Sequence, residues 1–500
     1  TPIKSSAASD VYKRQQEDKR ESVNVAMENL PADNLKYYDL GSGLVTNTIG
    51  SSMIKWNMAS FMGRINYNYL GRYLLTVSAR YDGSSRLADG HKWVLFPSAA
   101  LAWRINEESF MSSTSGWLDN LKLRLGFGKT GNSAVDPYQT KGTLSLIRYP
   151  FDNGGTPTIG YAPNAMANSL LTWETTDQWN LGIDFGVLRG RINGTIDLYM
   201  QNTHDLLLKR QLPVVSGFPD VLSNVGKTRN KGIEVSINSM NINSKDFQWT
   251  TDLMLSSNKE EIVELYNGKN DDIGSKWFIG QPVNVHYDYR KVGIWQNTES
   301  DLAEMAKFAA NGTEFAPGDI KIQDVNGDYK ITDADKQILG NPRPKLIASM
   351  VNTFNYKGFD LSVFLYASFG AMLYNDIYAV EHCGRNGGVK VDYWTPNNPT
   401  NAYPRPSIDE ERPIYITSTY YEKADFLRVK TMTLGYTLPK TLTNKFLVEK
   451  LRVYFTAQNP FIFTNYTGID PEAAKVNSAG NPETCLLYTS PSPRDRSVSR

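Results

Sequence analysis

The sequence predicts an all-β chain, an antiparallel transmembrane β-barrel with long external loops, on three observations. Apolar and polar residues alternate with period two in segment after segment. The polar faces of those segments carry Arg, Asp, Asn and Gly, as a hydrated lumen would, and Tyr and Trp gather near their ends. The links between segments alternate between short turns and long loops.

The first clear hairpin is SFMGRINYNYLGRYLLTVSARYD. Phe61, Ile65, Tyr67 and Tyr69 share one face, and Met62, Arg64, Asn66 and Asn68 the other. After a turn at Leu70-Gly71, Tyr73, Leu75, Val77, Ala79 and Tyr81 resume the apolar face, opposite Leu74, Thr76, Ser78 and Arg80. Each arm matches the roughly 9–11 residues that a tilted strand needs to cross a bilayer. The pattern returns at Ala99, Leu101, Trp103 and Ile105; at Leu121, Leu123, Leu125 and Phe127; and at Trp179, Leu181, Ile183 and Phe185. Ile192, Ile196 and Leu198, then Ile233, Val235 and Ile237, continue it. Residues 346–356, 359–369, 426–436 and 451–458 are further strand candidates. Arg189-Gly190 and Lys357-Gly358 are short turns, whereas 258–343 and 370–425 are long loops. Alternation by itself also fits a soluble sandwich; the wet faces, the aromatic ends and the alternating link lengths favour the barrel.

Composition bounds the remaining classes. Across 500 residues, 53 Lys+Arg against 52 Asp+Glu give a net charge of +1, which points to no nucleic-acid partner. Two cysteines, Cys383 and Cys485, are too few for a disulfide scaffold. No apolar run approaches the ~18–20 residues of a transmembrane helix. A mean hydropathy of −0.42 fits strands whose two faces average to polar. The two ends share an oddity. DVYKRQ can be encoded by GATGTGTATAAGAGACAG, whose opposite strand read in another frame begins CLLYTS. Residues 1–15 and 485–500 therefore resemble translated sequencing adaptor and are set aside, leaving 16–484 as part of a barrel domain whose plug and last strands are expected beyond it.

Several stretches, in order, resemble the SusC/RagA family of TonB-linked outer-membrane proteins. They include RYLLTVSARYDGSSRL, FPSAALAWRINEESFM, WLDNLKLRLGFGKTGN, RNKGIEVSINSMNI, PGDIKIQDVNGDYKITDADKQILGNPRPK, YKGFDLSVFLYASFG, FLRVKTMTLGYTLP and LRVYFTAQNPFIFTNYTGIDPE. The resemblance covers most of residues 56–472. It implies a barrel of about 22 strands with a plugged lumen in the bacterial outer membrane, covered by a SusD-like lipoprotein lid. It also implies import driven by the TonB complex, with oligosaccharides, and less often peptides, as substrates.

GFGKTGN lacks the first glycine of a phosphate-binding loop, since Leu123 occupies that place, and reads as strand glycines facing the lumen. The histidines, His91, His204, His286 and His382, form no metal pair or catalytic arrangement in the sequence. Glu107-Glu108 and Glu260-Glu261 read as solvated turn charges rather than glycosidase acids, and no enzyme is expected. The loop aromatics Trp277, Trp295, Tyr374, Tyr378, Trp394, Tyr403, Tyr420 and Tyr421 are the candidate ligand-binding residues, because aromatic faces stack on sugar rings. Loop packing is the competing role for each.

DVNGDYKITDAD, 324–335, places oxygen ligands as a Ca2+ loop does, with Asp324, Asn326, Asp328, Lys330 and Asp335 as the candidate set. Against it, Tyr329 stands where that loop needs a glycine of positive φ. GDIKIQ before it reads as a strand, and an Asx-held turn is the alternative. A secreted cell-surface protein built around this loop is the competing functional reading.

Overall fold

The chain is described by a computed structural model over residues 5–30, 40, 45–149, 151, 158–375, 390–407, 412–468, 470–472, 474–476 and 482–484. Thirteen strands, each beside its neighbour in sequence, form one large sheet. They are β1 (Ser5–Glu28), β2 (Val45–Tyr69), β3 (Tyr73–Ser84), β4 (Trp93–Arg104) and β5 (Leu118–Asn132). Next come β6 (Glu174–Val187), β7 (Ile192–His204), β8 (Lys227–Asn243) and β9 (Phe247–Glu264). The last four are β10 (Leu346–Tyr356), β11 (Phe359–Phe369), β12 (Phe426–Thr437) and β13 (Arg452–Thr464). The candidate strands fall on these elements, except for the end residues Ile105, in a 3-10 turn, and Leu451, just before β13. β9 was not among them, although Phe247, Trp249, Leu253 and Leu255 alternate there as elsewhere. The three expected short turns share one geometry. Leu70 and Gly71, Arg189 and Gly190, and Lys357 and Gly358 all have positive φ, the type I′ form whose twist matches a hairpin.

The chain divides into two compact units, one of residues 1–184, 198–230 and 263–270, the other of 185–197, 231–262 and 271–500. In the first unit, register stacks the apolar residues into rows: Tyr67, Leu75, Leu101 and Leu125; Ile65, Val77, Ala99 and Phe127. These rows face outward. Ile65 is 58% and Val77 44% exposed, while the polar Ser60 and Asp82 are 5% and 3% exposed. That arrangement inverts a soluble sheet and suits one bathed in hydrocarbon. On the opposite face, Thr76 donates to Asn66 at 2.9 Å and the Ser78 and Ser98 hydroxyls pair at 2.6 Å. Gly126 and Gly128 of GFGKTGN lie on that face, opposite Ala100 and Ser98.

Aromatic residues bound the apolar rows at both ends. On the short-turn side Tyr73 stacks on Trp103 at 6.3 Å, and on the other side Tyr81 stacks on Trp93 at 5.0 Å. From Tyr73 to Tyr81 is about 26 Å of strand, which a tilt of about 40° lowers to about 20 Å, close to the height of a barrel's apolar band. Glu108 ties the first belt together, accepting from the Tyr73 hydroxyl at 2.7 Å, Trp103 Nε1 at 3.0 Å and Arg72 at 3.3 Å. These donors hold its carboxyl below the usual range. The expectation of a free turn charge is corrected for this residue.

β1 continues through residues 5–15, the stretch set aside as adaptor-like, and pairs with β2. Its side chains extend the apolar band only in part, through Ala7 opposite Tyr67 and Val11 opposite Gly63. Ser9 stands opposite Ile65, Lys13 opposite Phe61 and Gln15 opposite Ala59. Backbone pairing, which any sequence can supply, holds this stretch in place. Residues 485–500 lie outside the described residues, as does Cys383.

In the second unit the same division of faces appears. Phe354, Leu361, Leu434 and Phe455 form an apolar row, and Asn355, Asp360, Gly435 and Tyr454 form the row beside it on the opposite face. Arg452 grips Asp360 at 2.9 and 2.5 Å. Gly435 makes room for this pair, since a Cβ there would sit 2.6 Å from both partners.

Arginine on the outward row should be costly and arginine on the inner row tolerated. In the full-length receptor, Val77→Arg is expected to lower folding stability by about 2–4 kcal/mol if it lies near the membrane midplane, and Ser78→Arg by much less. Urea titration in lipid vesicles, followed by heat-modifiable gel migration, measures both.

Candidate functional site

The long links of the second unit are not simple loops. Residues 258–343, expected as loop, contain the end of β9, short strands and a helix, α1 (Glu299–Ala310). Thr298 caps α1, its side chain accepting from Asp301 N, with Glu299 and Asp301 in the first turn where the helix dipole favours them. Met305 and Phe308 form the buried stripe, three residues apart, packed on Trp295. Three two-stranded ribbons complete the assembly. Lys291–Ile294 pairs with Ile320–Ile322, His286–Asp288 with Gln337–Gly340, and Met372–Tyr374 with Tyr421–Lys423. Ile294, Ile320, Ile322, Trp394, Tyr403, Ile416 and Tyr420 make its core.

That core and the cluster of Trp295, Met305 and Phe308 absorb most of the loop aromatics expected to bind ligand. Trp295 is 1% exposed, Tyr420 2%, Trp394 6% and Tyr403 8%, so none offers a face for stacking. Trp394 Nε1 donates to Gln296 at 2.8 Å, satisfying the indole in its buried position. Tyr374 packs edge-on against Tyr420 at 5.7 Å and Tyr421 at 5.2 Å. The Tyr421 hydroxyl donates to Asp288 at 3.1 Å, and burial beside that carboxylate raises its pKa. Trp277 is half-buried and closes a small bridge with Asp272. Tyr378 lies outside the described residues. Trp295, Trp394, Tyr403 and Tyr420 help a long external segment fold, because Trp and Tyr bury the most apolar area per residue.

The 324–335 stretch is a tight nest of hydrogen bonds. Asp324 accepts from Gly327 N at 2.7 Å and Tyr329 N at 2.8 Å. Asn326 accepts from Asp328 N at 3.1 Å, and Asp328 from Lys330 N at 2.8 Å. Asp335, fully buried, accepts from Val325 N at 2.9 Å and Thr332 N at 2.8 Å. Tyr329 does take the left-handed conformation, with φ +57°, contrary to the expectation that a tyrosine would resist it. Its ring meets Phe308 edge-on at 5.5 Å, and that buried contact offsets a backbone cost of about 1–3 kcal/mol. Among the described residues no group of three or more His, Cys, Asp or Glu is placed to hold a metal ion.

The other titratable candidates also have structural partners. His286 is buried, its Nε2 2.8 Å from the Met372 carbonyl, and burial lowers its pKa. His204 faces Asp177 at 3.4 Å, and His382 lies outside the described residues. Glu260 pairs with Arg343 and accepts from Val283 N at 3.2 Å, so it too is no free turn charge. Lys291 was not singled out in the sequence. It is largely buried with Nζ on the Ala402 carbonyl at 2.8 Å, and desolvation brings its pKa down to about 8.

Asp324→Ala should open the 324–335 turn locally, because two backbone donors lose their acceptor. Hydrogen exchange in chelator-containing buffer is expected to show faster exchange at Gly327 and Tyr329, corresponding to about 1–3 kcal/mol of lost local stability. The α1 amides should be little changed. A second test concerns Lys291→Met. The folded state disfavours the charged lysine, so the gain in thermal stability should be full below pH ~8 and should fade as the pH rises toward the lysine's unfolded value of about 10.4.

A family profile described as TonB dependent receptor-like, β-barrel matches residues 23–460. The chain is 33% identical over 454 residues to TonB-dependent receptor P3 of Formosa agariphila, covering 88% of this chain and 44% of that protein. It is 35% identical over 434 residues to TonB-dependent receptor SusC of Bacteroides thetaiotaomicron, covering 83% of this chain and 41% of that one. The chain thus spans less than half the length of these curated relatives. Among solved structures, the RagAB peptide transporter superposes with a TM-score of 0.78 at 23% identity, over 94% of this chain and 51% of that chain. The outward apolar rows and the family profile place the sheet in a membrane rather than in a secreted soluble module. The chain belongs to the TonB-dependent receptor family, and it represents part of the β-barrel domain, which lies in the outer membrane.

Proposed function

We propose that the full-length receptor imports oligosaccharides across the outer membrane, driven by the TonB complex and working with a SusD-like surface lipoprotein as its lid. The observation that carries the transport reading is the likeness to TonB-dependent receptors, 35% identity over 434 residues to SusC; the oligosaccharide part follows the SusC/RagA resemblance of the sequence motifs. The inner rows support it chemically. Hydroxyl, amide and charged groups such as Thr76, Asn66, Ser78 and the Asp360–Arg452 pair give a wet, hydrogen-bonding surface on which a sugar can exchange partners. The outward rows of Leu, Val, Phe and Tyr meet the lipid bilayer.

Import of peptides is the second reading, and the likeness to the RagAB peptide transporter, at a TM-score of 0.78, favours it. Both readings use the same barrel and differ in what the external surface and lumen recognise. The intact receptor, co-purified with its lipoprotein, is to be offered defined oligosaccharides and a mixture of short peptides, with binding measured by calorimetry. Saturable oligosaccharide binding with no peptide binding is expected. Peptide binding alone would select the second reading.

A further inference from the structure

Within the second unit a cavity of about 670 Å³ opens beside α1, a size that suits a small ligand rather than a folded partner. Phe315 and Tyr415 line it, with ring centroids 6.4 Å apart. Both rings are braced from behind. Phe315 packs on Trp295 at 5.5 Å and Phe308 at 5.4 Å, and Tyr415 on Tyr289 at 5.0 Å. Tyr415 has φ +64°, a conformation that costs a tyrosine free energy. Two planar polar groups, Asp319 and Arg405, line the same cavity. Asp319 accepts from Ala316 N at 2.8 Å and from Arg405 Nε at 2.8 Å, so both side chains are oriented before any ligand arrives. The Arg405 side chain remains 48% exposed. Gly318 permits this approach, since a Cβ there would meet Arg405 at 2.8 Å and the Trp394 ring at 2.5 Å. Glu314 is exposed at the rim.

We propose that this cavity is a glycan-binding subsite on the external assembly, taking a terminal sugar unit of an oligosaccharide. The inference rests on the oligosaccharide reading above. Fixed aromatic rings offer apolar faces to a pyranose. The carboxylate and guanidinium side by side accept from and donate to neighbouring ring hydroxyls, each through a planar group with two ligand directions. Peptide capture usually relies on a strand edge or apolar anchor pockets, whereas this cavity carries a paired carboxylate and guanidinium beside aromatic rings. The subsite would collect substrate outside the lumen and raise its concentration at the mouth.

The test uses the purified full-length receptor with maltohexaose, cellohexaose, xylohexaose and mannohexaose as separate probes, and a short-peptide mixture as a further arm. For at least one hexaose, Arg405→Gln is expected to weaken binding tenfold or more and Glu314→Ala severalfold, with heat-modifiable migration unchanged. Addition of that hexaose to the wild-type receptor should also slow amide exchange across 312–319, a readout that requires no variant to fold. Hexaose binding that is indifferent to both substitutions, with no protection at 312–319, overturns the subsite and leaves the oligosaccharide reading standing. Binding of peptides and of no hexaose overturns both.

Discussion

Hydrocarbon offers no partner to a backbone N–H or C=O, so every peptide group at membrane depth must be paired within the chain. In this protein that requirement is met by long antiparallel strands joined in sequence order. The remaining features follow from it. Period two then sends alternate residues to opposite faces, so one face can be apolar enough for lipid while the other stays polar. The exposed rows of Ile65, Val77 and Leu434 and the sheltered Asp82 and Ser60 express this division. Where the chain must reverse in two residues, the turns are type I′, with glycine at the second position each time and Leu70, Arg189 or Lys357 tolerated at the first.

Outside the band the constraint is lifted, and the chain behaves like a small soluble domain. The segments around α1 bury Trp295, Ile320 and Tyr420 and satisfy buried polar groups with specific partners, as Asp335 does with Val325 and Thr332. Two opposite burial rules therefore operate along one sequence. A mean hydropathy near −0.4 reports neither of them, because it averages both.

The strands could be read from the sequence because each carries its period for long enough to be counted. Three of the short turns were legible from a glycine between two alternating arms. The external assembly was not, for physical reasons. Its ribbons are three or four residues long, such as Ile320–Ile322 and Lys291–Ile294, too short to show a period. α1 left the clearest trace, with Thr298 as cap and Leu302, Met305 and Phe308 at helical spacing, but one buried stripe of 12 residues is easily taken for loop. Trp295, Trp394, Tyr403 and Tyr420 are buried in the loop cores, and a tryptophan that builds a loop core and one that stacks on a ligand look alike in sequence. Tyr329 shows the same limit from another side. Its unfavourable backbone angle was recognisable, and the compensating contact with Phe308, 21 positions earlier in the chain, was not.

The central claim is that the apolar rows face lipid and the polar rows face a watery interior. Single cysteines introduced at Leu75, Thr76, Val77 and Ser78 of the full-length receptor, in a background with its native cysteines, Cys383 among them, replaced by Ser, test it directly. A membrane-impermeant maleimide should label Thr76→Cys and Ser78→Cys and leave Leu75→Cys and Val77→Cys unlabelled. Equal labelling at all four positions, or the reverse alternation, would contradict the account.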